Sequence, residues 1–115
     1  MLDLSTLDAL AAGDRTFVAD MLAIFLERLD ATLQEWETAL DAGDRKGVAE
    51  AAHKLAAPAR QLGFSELASA LRALEEDADG EASVAALANR CRRLQPLLQT
   101  ARLRVEARLE DQPES

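Results

Sequence analysis

Apolar residues recur every three or four positions through four long stretches of this chain, and that spacing leaves little room for anything but amphipathic helix. From Arg15 to Ala42 the series is Phe17, Met21, Phe25, Leu29, Leu33, Trp36 and Leu40. Asp20, Glu27, Asp30, Glu35 and Glu37 fall mostly on other faces. Gly43 should end this helix and Asp44 cap the next. Arg45 to Leu62 carries Val48, Ala52, Leu55, Ala59 and Leu62, and Gly63 closes it. A third stretch, capped by Ser65, turns Leu67, Leu71, Leu74 and Ala78 inward and gives way to a turn over Asp77 to Gly80. The fourth runs from Ser83 to Leu109 with Val84, Leu87, Cys91, Leu94, Leu98, Ala101 and Val105 on one line. Ahead of them all, Ser5 can cap a short helix over Leu7 to Leu10, ended by residues 11–14.

Four long helices with short connections predict an all-α fold, an antiparallel up-and-down four-helix bundle with a short extra N-terminal helix. A chain of 115 residues suits one domain over 1–115, with 110–115 a polar, frayed tail. Ordering it costs on the order of 100–200 kcal/mol of conformational entropy, so a continuous core is required. The 49% hydrophobic content, mostly Leu and Ala, can supply one. A coiled-coil homodimer is the weaker arrangement, because the shorter segments need one another, and a monomer is expected.

Charge and residue counts narrow the function. The formal net charge of −8 lacks the positive patch that nucleic acid requires and would be repelled by an acidic bilayer. The single cysteine, Cys91, cannot form an intrachain disulfide, and no Cys/His cluster offers a zinc site. No run approaches the roughly 20 apolar residues of a membrane span, and no basic segment leads into an apolar signal core. A cytoplasmic setting is expected, one that the cytoplasmic part of a membrane-anchored parent would share.

His53 is the only histidine. It lies two positions before Leu55, about 200° around the helix, so a buried Leu55 turns the imidazole outward. Its helical neighbours are Ala49, Glu50, Ala56, Ala57 and Arg60, and the three alanines form a low collar that a broad partner surface can approach. Glu50 reads as solvated surface.

Residues 52–63 read Ala-His-Lys-Leu-Ala-Ala-Pro-Ala-Arg-Gln-Leu-Gly. This resembles the signature of the histidine-containing phosphotransfer (HPt) domains of two-component phosphorelays, whose usual form is Ala-His-x-Leu-Lys-Gly, then small residues, then Leu-Gly. The flanks are similar as well: Leu4 to Leu7 and Gly13-Asp14 precede a long helix containing Phe25-Leu26, and Ala39-Leu40 with Gly43-Asp44 leads into the histidine helix. The resemblance spans about residues 3 to 108. Two positions depart from it, since Ala56 stands where the family usually has Lys and Ala57 where it has Gly. Pro58 falls inside the helix, removes one N–H and should bend it near Lys54.

The resemblance implies that His53 is the phosphoaccepting residue, that Glu75, in the pair Leu74-Glu75, sits near its ring, and that Lys54 and Arg60 supply positive potential. It implies a phosphorelay intermediate that takes a phosphoryl group from a receiver-domain aspartate onto His53 and hands it to another receiver. The implied partners are response-regulator receiver domains and a hybrid sensor histidine kinase, of which this domain would be the C-terminal part. Neither nucleic acid nor direct membrane insertion is expected. No cofactor is expected on this chain, the divalent metal belonging to the receiver. No Gly-rich phosphate loop is present, so no autonomous ATP-dependent kinase activity is expected. Two other classes stand beside this one. An HPt-like docking module would bind a receiver without being phosphorylated. A metal or hydrolytic site built on His53 and Glu75 would need a concave pocket and more ligands than one histidine with scattered carboxylates supplies.

Overall fold

Four helices and no strand make up the computed structural model over residues 15–110, the residues that it describes. They are α1 (Arg15–Asp41), α2 (Arg45–Gln61), α3 (Ser65–Asp79) and α4 (Val84–Glu110). The short helix expected over Leu7 to Leu10 and the tail beyond residue 110 lie outside the described residues. Each helix packs along two others, α2 between α1 and α3, and α4 closing the ring against α1 and α3. No described helix is long and apolar enough to cross a membrane.

The helix ends follow from local chemistry. Both α1 and α2 stop in the same hydrogen-bonded motif around a left-handed glycine, Gly43 at φ 67° and Gly63 at φ 87°, a backbone region that costs other residues free energy. The Gly43 N–H donates to the Leu40 carbonyl and the Asp44 N–H to that of Ala39; Gly63 and Phe64 repeat the pattern onto Arg60 and Ala59. Asp44 then caps α2, its carboxylate accepting from the Gly47 N–H at 3.0 Å. Ser83 does the same for α4, its hydroxyl accepting from the Ala86 N–H at 3.1 Å. Arg45 ties the start of α2 to the connection after α3 by donating to the Gly80 and Ala82 carbonyls at 2.9 and 3.0 Å. Removing the cap with Asp44→Ala should cost about 1 kcal/mol. Urea unfolding followed by the fluorescence of Trp36, the sole and buried tryptophan, measures this. An unchanged midpoint would mean the cap contributes nothing.

A single apolar core joins all four helices, containing Phe25, Leu29, Leu55, Leu71 and Leu94. Phe64 enters it from the α2–α3 connection and stacks on Phe25 with ring centroids 5.3 Å apart. Cys91 is buried here too, and burial pushes its thiol up to about 11, which keeps it protonated and unreactive near neutral pH.

Three local expectations need correction. At the start of α1 the inward line is Val18 and Leu22, whereas Phe17 is 44% exposed and Met21 only partly covered. Ser65 does not cap α3: Phe64 occupies that position, with no side-chain cap, because its ring is held in the core while its carbonyl accepts from Ala68. Asp77 to Gly80 is a turn only at its end, where the Gly80 N–H donates to the Asp77 carbonyl. The helix continues to Asp79, with Ala78 buried and Asp77 paired to Arg90 of α4 at 2.8 Å.

Candidate functional site

The site begins with the alanines of α2. Ala49, Ala51, Ala52, Ala56 and Ala59 are all buried, and side chains this small let neighbouring helices approach the α2 backbone closely. What remains exposed is a narrow strip carrying Glu50, His53, Lys54, Ala57 and Arg60. Leu55 is fully buried, and two residues of helical rotation turn His53 to the outside.

The imidazole side chain is 73% exposed. Its Nδ1 lies 3.2 and 3.1 Å from Oε1 and Oε2 of Glu75, which is on α3 and 28% exposed. A carboxylate only accepts, so Nδ1 carries the proton of this contact. In the neutral ring that leaves the lone pair on Nε2, the outer nitrogen. Glu75 therefore orients the ring and leaves Nε2 facing outward with its lone pair.

The ring stands at an open groove of about 400 Å³ between α2 and α3, lined by Ala56, Ala57, Arg60, Arg72, Glu75, Glu76 and Asp79. An adjoining hollow of about 310 Å³ adds Lys46, Ala49, Glu50 and Lys54. All four residues singled out from the sequence thus border the two hollows that meet at His53, Arg60 in the first and Lys54 in the second. Only Glu75 bonds to the ring. Of the expected collar, Ala57 is exposed, while Ala49 and Ala56 are covered by neighbouring helices. Pro58 lies within α2 as the sequence requires. Among the described residues, no group of three His, Cys, Asp or Glu side chains is placed to hold a metal ion. The concavity at His53 is an open groove with a single imidazole among its lining residues.

Arg72 and Lys46 were not anticipated. Arg72 precedes Glu75 by three residues, so the choice of Glu75 already placed it on the same face of α3. Nothing in its own neighbourhood signals that this face meets His53.

A family model, Hpt domain, matches residues 20–112, most of the chain. The chain belongs to the Hpt domain family. No curated protein and no solved structure shows significant similarity to it. Membership implies a phosphotransfer function in phosphorelays, with receiver domains as the proteins that Hpt domains meet. The chain's one histidine is the exposed imidazole at the α2–α3 groove.

Proposed function

We propose that this Hpt domain is a phosphorelay intermediate that reversibly accepts a phosphoryl group from a receiver aspartate onto His53 Nε2 and passes it to another receiver. The observation that carries this reading is the exposed imidazole whose inner nitrogen is held by Glu75. In the forward step the Nε2 lone pair forms the N–P bond as the P–O bond to the receiver aspartate breaks, and the carboxylate leaves with the electron pair. Positive charge develops on the ring and is countered by Glu75, which keeps the Nδ1 proton in its hydrogen bond. Lys54 and Arg60 add positive potential for the phosphoryl oxygens. The divalent ion and most of the transition-state electrostatics belong to the receiver. No ATP-dependent step is assigned to this chain.

The same reading includes a monomer in a cytoplasmic setting, alone or as part of a hybrid sensor histidine kinase, with the helices running alternately up and down. Connections at 42–44, 62–64 and 80–83 span at most about 10–14 Å, less than the roughly 22 Å of even the shortest helix. They favour each helix returning alongside its predecessor.

Incubation with a radiolabelled phospho-receiver tests the function. The expected result is label on this chain that is labile in acid and stable in base. Binding without label, across several receivers, would replace the relay with a docking module. Glu75→Ala should slow transfer without abolishing it. Losing a hydrogen bond of about 0.5–1.5 kcal/mol corresponds to about two- to tenfold in rate. Ring ¹⁵N shifts should show the Nδ1–H tautomer depleted in the variant. Unchanged rates together with unchanged shifts would remove Glu75 from the mechanism.

A further inference from the structure

We infer that Arg72 binds the phosphoryl group on His53, reaching it from α3 across the groove; this rests on His53 being the acceptor. The groove places the two residues together although they are on different helices. Moving one turn along α2 from His53 gives Ala56, and one turn back along α3 from Glu75 gives Arg72; both line the same hollow as the ring. Ala56 ends at a methyl, so that position puts no long side chain between the ring and the arginine.

The guanidinium is also uncommitted. Arg28, Arg90 and Arg102 form ion pairs with Glu35, Asp77 and Asp30, and Arg45 is spent on backbone carbonyls. Arg72 makes no hydrogen bond or ion pair with any described residue, including Glu76, one turn away on its own helix. The groove otherwise holds Arg60 as a cation and Glu75, Glu76 and Asp79 as anions. Glu75 is occupied by the imidazole, so an incoming phosphoryl group meets Arg60 from its own helix and Arg72 from the facing one. A planar guanidinium donates two parallel N–H groups to two phosphoryl oxygens, a geometry that an ammonium does not match. With Arg72 in place, the N–P bond forms between a nucleophile held by α3 through Glu75 and an electrophile held by α3 through Arg72. One helix then controls both reacting partners.

The experiment compares wild type, Arg72→Gln and Arg72→Lys with two donors, a phospho-receiver and the small molecule phosphoramidate. Arg72 is exposed, so all three chains should fold alike. Arg72→Gln should phosphorylate about five- to tenfold more slowly with both donors, and Arg72→Lys should recover part of the loss. The ³¹P resonance of phosphorylated His53 should shift in Arg72→Gln, a readout independent of rate. Slowing with the receiver alone would overturn the inference, because Arg72 would then contact the receiver and not the phosphoryl group. Equal rates and an unmoved resonance would also overturn it. A wild-type chain that takes no label from either donor would instead sink the assignment of His53 on which the inference stands.

Discussion

His53→Gln should lose phosphoryl acceptance altogether and keep its fold. The imidazole side chain is 73% exposed, and substitutions at such positions change stability by roughly 0.5 kcal/mol or less. The contact given up is a partly exposed pair with Glu75, the kind of interaction that contributes little to folding. Glutamine can still accept or donate a hydrogen bond beside Glu75, but its amide nitrogen has no available lone pair to attack phosphorus. Transfer should fall to background, a loss of about a thousandfold or more, since no second group replaces a missing nucleophile. Receiver binding should persist, because docking is made by the surrounding surface and not by the reacting nitrogen. Following radiolabel on the two chains side by side decides the matter. Equal labelling of wild type and variant would show that phosphate goes elsewhere.

The opposite outcome is expected two residues away. Leu55→Ala should leave the chemistry in place and cost about 2–5 kcal/mol of stability, because Leu55 is fully buried within the core and the deletion leaves a cavity. Domains of this size are stable by only about 5–15 kcal/mol, so the variant should melt roughly 10 °C or more below wild type. Denaturant unfolding monitored at Trp36 should show a lower midpoint with an unchanged slope. Below the melting transition the variant should still accept phosphate, since His53 and Glu75 keep their helices. A loss under about 0.5 kcal/mol would contradict the burial of this face. Two positions on opposite faces of one helix would thus separate function from folding.

Much of this architecture is written in local pattern. The two left-handed glycines, the Asp44 cap and the outward turn of His53 each depend on a few neighbouring residues, and each can be read without knowing what the helices pack against. The errors arise where two local solutions compete. At the start of α1, Phe17 and Met21 form one apolar line and Val18 and Leu22 another. The neighbouring helices cover the second. Ser65 is the better capping residue by type, yet Phe64 holds the position because its ring stacks on Phe25. Asp77 to Asp79 read as a turn, and a partner on α4, Arg90, helps keep them helical.

The candidate site divides in the same way. Sequence alone determined that this chain forms long amphipathic helices, that its one histidine turns away from Leu55, and that the run from Ala52 to Gly63 resembles the Hpt signature. Those properties rest on 100° of rotation per residue and on side-chain identity, which any stretch of helix carries with it. The resemblance already put Glu75 near the ring, but only the tertiary structure decided that it lies 3.1 Å from the imidazole and that Arg72 shares its groove. Residues 22 positions apart meet there because buried alanines let α3 approach α2, at a register set by the Gly63 turn and the core. Packing between helices chooses that register, and the spacing within either helix does not contain it.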